Sequence, residues 1–433
     1  MREMKDSGVA WIGEIPKDWK ISKIKNISVS LKSGGTPDSS KDEFYVDKEV
    51  GIPWVAIADM SDKPYITYTQ KYITEEARKS KNLTIFEAGT ILYAMYASVG
   101  KVSVLGVKAT INQALLAISL KKGIDDAYCT FALNAWEPYI ISESNGTTQF
   151  NLNANKVANL QIPMPPENRQ RIISDCINGN CVKVDSLIAN VQAQIEKLKA
   201  YKQSLITEVV TKGLDPNAPM KDSELPWFGL IPRHWKLAKI KMYATTCSGG
   251  TPPSGDMSYY NGKINWVCSY DLCEKEIEET EKTLSDKGAE HIAGTLQLPN
   301  SILVAMYGGA GTIGNSGLLK CYARTNQAIC SIHFDEAVVE PKFAFYQTMF
   351  IRRYWMFFAV GTRKDPNISQ DIVRNMKYVI PPIQEQTAIA TYLDAKCSQI
   401  DQLITLKESK IEKLQQYKRS LIYEYVTGKK EVV

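Results

Sequence analysis

Trp11-Ile-Gly-Glu-Ile-Pro-Lys-Asp-Trp19 returns as Trp227-Phe-Gly-Leu-Ile-Pro-Arg-His-Trp235, an offset of 216 residues from Trp11 to Trp227. The register persists downstream. Ser33-Gly-Gly-Thr-Pro37 matches Ser248-Gly-Gly-Thr-Pro252, Ile52-Pro-Trp-Val55 matches Ile264-Asn-Trp-Val267, and Ala94-Met-Tyr96 matches Ala305-Met-Tyr307. Asn112-Gln-Ala114 matches Asn326-Gln-Ala328, and Ile195-Glu-Lys-Leu198 with Tyr201-Lys returns as Ile411-Glu-Lys-Leu414 with Tyr417-Lys. Self-similarity at a near-constant offset is the signature of a duplicated module. Two copies cover essentially all of the 433 residues, a length that suits several domains better than one core.

Each copy changes its hydrophobic period part-way. The first part, about 150 residues, alternates short apolar runs with Gly, Pro, Asn and Asp turns, as in Gly89-Thr-Ile-Leu-Tyr-Ala-Met-Tyr96 and Lys101-Val-Ser-Val-Leu105, which predicts strands. Helical patterns at Ala127–Leu133 and Pro341–Gln347 interrupt it, so the fold class is α+β. After the proline stops Ile162-Pro-Met-Pro-Pro166 and Val379-Ile-Pro-Pro382, about 45 residues run without proline. Apolar residues then recur in steps of three and four, with Val184, Ile188, Val191, Ile195, Leu198 and Leu205 in one copy and Ile400, Ile404, Ile411, Leu414 and Leu421 in the other. That is a coiled-coil seam. A helix about 65 Å long cannot bury its stripe alone, so the two should pair antiparallel and place the globular parts at opposite ends, a pseudo-two-fold repeat. The expected boundaries are a first globular part at 1–162, a long helix at 163–213, a linker at 214–225, a second globular part at 226–380 and a second long helix at 381–430. Val182, Leu187, Leu403 and Leu406 are candidates for an outer apolar face.

Hydrophobic content of 44%, charged content of 23% and 22 tyrosines describe an ordinary globular chain, not a disordered or fibrous one. Neither an apolar leader nor a membrane-spanning run is legible, and the nine cysteines contain no C-x-x-C, so free thiols and a cytoplasmic location are expected. The three histidines, His234, His291 and His333, stand apart from one another and from any cysteine pair at ligand spacing, so no metal site is expected. A net charge of +5 falls short of a stand-alone nucleic-acid binder but permits local basic patches.

These motifs together resemble the specificity subunits of type I restriction-modification systems, across both copies. The shared pattern is an I-P-x-x-W opening, a G-G-T-P turn, an I-P-W-V-like strand, an A-M-Y-x-x-x-G hairpin, an N-Q-A strand and a long helix ending in Tyr201-Lys-Gln-Ser-Leu-Ile206 or Tyr417-Lys-Arg-Ser-Leu-Ile422. The resemblance implies two tandem α/β target recognition domains, each reading one half of a split double-stranded DNA site. It implies paired helices that set the gap and dock two methyltransferase subunits, with restriction subunits in the full complex. It also implies a non-catalytic chain that binds no cofactor, with S-adenosylmethionine, Mg and ATP on partner subunits.

Residues identical in both copies cannot alone distinguish two half-sites, so Gly34, Gly35, Pro37 and Trp54, with Gly249, Gly250, Pro252 and Trp266, read as scaffold. Asn112-Gln113 and Asn326-Gln327 could pair with adenine, but their identity favours strand-end amides. Base readers belong where the copies diverge. Three windows qualify: Arg78, Lys79 and Lys81 against Lys287, Glu290 and His291; Lys101, Lys108 and Thr110 against Thr312, Lys320 and Arg324; and Thr147, Thr148, Gln149 and Asn151 against Thr362, Arg363, Lys364 and Asn367.

No Asn/Asp-Pro-Pro-aromatic motif for a flipped adenine is present, because the Pro-Pro pairs read Met-Pro165-Pro166-Glu and Ile-Pro381-Pro382-Ile, and there is no Walker A sequence. Gly309-Ala-Gly311-Thr-Ile-Gly314 fits G-x-G-x-x-G, but the stretch from Asn315 to Asn326 is too short and too broken by Gly317 for the helix that a dinucleotide site requires. Two readings compete with DNA recognition: a coiled-coil scaffold that binds proteins, and a nicotinamide-dependent oxidoreductase resting on that glycine run alone.

Overall fold

The run Gly89–Tyr96 places Ile91–Ala94 as a strand with all four side chains buried, and its two faces enter different cores. Ile91 and Tyr93 join one cluster, Leu92 and Ala94 another, so a strand covered on both sides reads as a continuous apolar run. A computed structural model describes residues 2–60, 65–96, 98–137, 139, 152–308, 311–361 and 366–432. The chain divides into two units, Met1–Val191 with Ser409–Val433, and Gln192–Glu408. Among the described residues no helix is long and apolar enough to cross a membrane.

In the first unit, Ile91–Ala94 is central in a five-stranded sheet of order Ser28–Ser33, Leu115–Leu120, Ile91–Ala94, Val102–Leu105, Tyr65–Ile66. Its outermost pair is parallel and the others antiparallel. A second sheet, ordered Thr110–Ile111, Ile52–Val55, Lys71–Ile73, Tyr45–Val46, covers one face. The other face packs on the helix Asp126–Asn134 and on both ends of the unit's sequence: Ile173, Ile177 and Cys181 from the start of the first long helix, and Leu421, Tyr425 and Val426 from the end of the second.

The second unit repeats this plan. Its five-stranded sheet runs Ala244–Ser248, Ile329–Phe334, Ile302–Ala305, Ser316–Leu319, Lys275–Ile277, the same order with the same parallel edge. Its smaller sheet is Thr283–Leu284, Tyr260–Val267, Ala323–Thr325. The helix Pro341–Ile351 stands where Asp126–Asn134 does, and Leu205, Ile206, Val209, Val210, Ile389, Leu393 and Cys397 of the long helices complete the core. The duplication is therefore one of topology as well as sequence. Met220–Asp222, in the expected linker, is a strand paired with Leu230–Pro232, just as Met4–Asp6 pairs with Glu14–Pro16. The second copy thus begins with its own hairpin, ahead of Trp227.

The long helices span Glu167–Lys212 and Ile383–Val426. Within each unit their segments pair antiparallel. Lys202 binds Asp401 at 2.7 Å and Lys407 donates to Gln194 at 2.6 Å in the second unit, and Lys418 binds Asp185 at 2.7 Å in the first. Lys202–Asp401 and Asp185–Lys418 are the same pair written 216 residues apart. The seam residues are buried or half-buried throughout, with Ile195 and Leu421 almost fully covered. Val182, Leu187, Leu403 and Leu406 are exposed, as an outer face requires. Buried Gln170 and Gln386 link helix to domain in each copy: each accepts from the backbone N–H of the shorter helix's N-cap residue, Asp125 or Glu340, at 3.0 and 2.9 Å.

Candidate nucleic-acid interface

The residues shared by the two copies build a frame. Trp54 and Trp266 are buried, and each indole N–H donates to the carbonyl of the second glycine of G-G-T-P, Gly35 at 3.0 Å and Gly250 at 3.2 Å. The first glycines are fixed by close approach: a Cβ on Gly34 would lie 1.9 Å from the Ile111 carbonyl oxygen, and one on Gly249 1.8 Å from that of Thr325. Asn112 and Asn326 each accept from the backbone N–H two residues on, at 3.1 Å, and Thr36 and Thr251 donate to the side-chain carbonyls of Gln113 and Gln327. These amides brace the turn, as their identity in both copies suggests. Tyr45 and Tyr260 pack on the two tryptophans and donate to Pro37 and Pro252. Asp59 and Asp271 each accept from a backbone N–H three residues earlier, at 2.8 Å.

The divergent windows are partly committed inside the fold. Arg78 sits on the short helix Glu75–Ser80, where it forms two bonds to Glu75, at 2.6 and 2.8 Å, and donates to the Leu83 carbonyl. That fork braces its own helix and ties Arg78 to Glu75. Lys79 and Lys81, beside it, are exposed. Thr110 is buried and donates to the Pro53 carbonyl, so it belongs to the frame. Lys101 is half-buried at the base of a hairpin, and Lys108 pairs with Glu87 at 3.0 Å between two exposed side chains. Lys320 donates to Asn300 at 3.3 Å and lies 3.8 Å from Glu276; Arg324 donates to the Gly294 carbonyl. An exposed ion pair such as Lys108–Glu87 is worth little, so it holds the lysine only loosely. Asn367 is half-buried in the strand Pro366–Asn367. Thr147, Thr148, Gln149, Asn151, Thr362, Arg363 and Lys364 lie outside the described residues.

A second set of groups, of which sequence reading found only Lys287 and His291, lies on and beside the small sheets. On the small sheet of the first unit Lys71 lies 5.5 Å over Tyr45 and Lys48 5.8 Å over exposed Tyr68, beside a groove of about 660 Å³ lined in part by Gln70 and Lys71. The second unit places Lys282 5.6 Å over exposed Tyr270, Lys287 4.5 Å over Tyr259, and His291 4.7 Å from the same ring. Cation and ring side by side suit both phosphate and base faces. Divergence around the aligned tryptophans was the available signal, and only the sheet brings the pairs together. Hydrogen bonds from the hydroxyl and amide of Ser40 hold the Asp38 carboxyl below the usual range, and Ser258 does the same for Asp256.

Gly314, the last glycine of the G-x-G-x-x-G run, lies between the antiparallel strands Ile302–Ala305 and Ser316–Leu319. Gly314 takes φ +79° and donates to Ala305, as Gly100, at φ +91°, donates to Ala94. The counterpart of Gly100 is therefore Gly314, and not the Gly311 that A-M-Y-x-x-x-G would select. The strand Ser316–Leu319 stands where a dinucleotide site needs a helix.

The description "Type I restriction modification DNA specificity domain" matches residues 16–199 and again 232–416. The chain belongs to that family. Among its relatives, a putative type I restriction enzyme MjaX specificity subunit of Methanocaldococcus jannaschii is 24% identical over 437 residues, covering 96% of this chain and 95% of the relative. The MjaVIII specificity subunit of the same organism is 24% identical over 96% and 93%. The EcoBI specificity subunit of Escherichia coli is 22% identical over 65% and 61%. A solved chain described under complex assembly and conformational transition of the type I R-M system shares the fold, with a TM-score of 0.69 at 14% identity over 95% of this chain and 98% of that one. The family's two matches coincide with the two copies, so the frame above is that of a DNA specificity domain.

Proposed function

We propose that this chain is the DNA-reading subunit of a type I restriction-modification enzyme, each copy reading one half of a bipartite double-stranded site. One observation carries the reading: a single α/β module, matched twice by a DNA specificity family, occurs twice with the same order in its five-stranded sheet and divergent surface residues. Two readers joined by helices of 46 and 44 residues engage half-sites at a set separation, on the order of one DNA turn of about 34 Å. The exposed leucines of the helices suit docking of two methyltransferase subunits, and restriction subunits join the full complex. S-adenosylmethionine, Mg and ATP belong to those partners. In this reading the chain contributes binding and register, and the partners contribute chemistry.

The test is methylome sequencing of cells carrying the partner methyltransferase with and without this chain. A bipartite methylated adenine motif that disappears with the chain is the expected result. An unchanged methylome in an active system would sink the reading.

A further inference from the structure

We propose that Tyr96 and Tyr307 donate their hydroxyls to backbone phosphates of bound DNA and so seat each copy on the duplex without reading its sequence. The inference rests on the DNA-recognition reading above. Identity in both copies excludes them as discriminating readers, yet the frame does not explain them. The repeated residues that frame each G-G-T-P turn are paired within the fold: Trp54 with Gly35, Asn112 with Ala114, Thr36 with Gln113, Tyr45 with Pro37, Asp59 with Ala56, and their counterparts in the second copy. Tyr96 and Tyr307 are instead 37% and 41% exposed, and among the described residues no group pairs with either hydroxyl. A large exposed side chain kept twice, with no partner among the described residues, is open to a ligand that both copies share.

Their position fits that ligand. Each follows a methionine whose backbone ties three segments together. Met95 donates to Ala114 of the N-Q-A turn and accepts from Leu152; Met306 donates to Ala328 and accepts from Ile368. In sequence, Leu152 and Ile368 directly follow Asn151 and Asn367 of the third window, and the strand after each tyrosine, Val102–Leu105 or Ser316–Leu319, runs on to Lys108 or Lys320 of the second. Each tyrosine is therefore anchored through its neighbouring methionine to the sheet from which the second window extends, and a phosphate held by it sets the register of that sheet. Tyrosine is among the side chains that make such sequence-neutral phosphate contacts. Because its hydroxyl is neutral, it adds affinity without displacing a counterion.

The experiment compares wild type, Tyr96→Phe, Tyr307→Phe and the double variant, each as the full chain with its partner methyltransferase. Fluorescence anisotropy is recorded on a duplex bearing the methylated motif and on a scrambled duplex, across a salt series, with thermal melting to establish that phenylalanine leaves the fold intact. Each substitution should weaken both duplexes by the same factor, about threefold to tenfold, the order of a lost hydrogen bond. The slope of log affinity against log salt should stay at its wild-type value, unlike loss of a lysine contact, and the methylated motif should be unchanged. Wild-type affinity in the double variant overturns the inference, as does a changed motif, which would make the tyrosines readers. If the wild-type assembly binds neither duplex, the DNA-recognition reading itself falls and takes this one with it.

Discussion

Gly34 and Gly249 show how one residue can fix a contact between strands. Each lies so close to a neighbouring carbonyl oxygen that a methyl group cannot enter without moving backbone. Gly34→Ala and Gly249→Ala should each destabilise their own unit by about 1–3 kcal/mol or more, read as lost hydrogen-exchange protection confined to that unit. Gly179→Ala is the contrast: the residue is exposed in the first long helix with nothing within 4 Å of a new Cβ, and the exchange should stabilise by about 0.5–1 kcal/mol. Cys330 offers a pH test. Burial holds its thiol proton to about pH 12 in the fold, whereas an unfolded thiol ionises near 8.5. Between about pH 9 and 12 the unfolded chain releases a proton that the folded chain keeps, so stability must fall as pH rises, and below about 8.5 this group contributes no slope. Urea midpoints from pH 7 to 10.5 should decline, and less steeply in Cys330→Ala. At this scale the sequence exposed the anchors, because a residue written twice announces itself. It did not separate Arg78, folded back on Glu75, from exposed Lys79, since both are basic residues on one short helix and only the fork geometry tells them apart.

The long helices were the most legible elements, because a stripe recurring every three or four residues has one cheap solution, a second stripe. Ile400, buried in the core of the second unit, should cost about 2–4 kcal/mol as Ile400→Ala. Lys202→Met or Lys418→Met should cost under about 1 kcal/mol, because an exposed ion pair is worth little. Thermal melting that ranked the lysines above the isoleucine would reverse this assignment of what holds the helices together. Inserting one heptad into each long helix in matching register adds about 10.5 Å at 1.5 Å per residue, about three base pairs. The methylated motif should keep both half-sites and lengthen only its spacer, and an unchanged spacer would remove the helices as its determinant. The strands were legible as a class but not in their order. The parallel edges, Tyr65–Ile66 on Val102–Leu105 and Lys275–Ile277 on Ser316–Leu319, join segments that no local pattern links.

For the whole molecule, the first unit is discontinuous in sequence, Met1–Val191 with Ser409–Val433, and the second, Gln192–Glu408, lies between its two parts. Leu421, Tyr425 and Val426 lie in the core of the first unit, Tyr128 donates to the Val426 carbonyl at 3.1 Å, and Tyr423 donates to the Trp11 carbonyl at 3.1 Å. Removing residues 421–433 should therefore expose 1–191 to protease while 192–408 keeps its protection; equal protection of both would show that the C-terminal turns are dispensable. Replacing the first globular part with a relative's should change one half-site of the methylated motif and leave the other intact. By itself the sequence determined the duplication, the α+β class, the helix seam and the family, since all of these are periodic or repeated and so visible in one dimension. Tertiary structure alone decided that the last turns of the chain complete the first core, that Met220–Asp222 forms a hairpin with Leu230–Pro232, and which polar groups face inward. Those outcomes depend on burial and on hydrogen bonds between residues up to 412 apart, which no local spacing encodes.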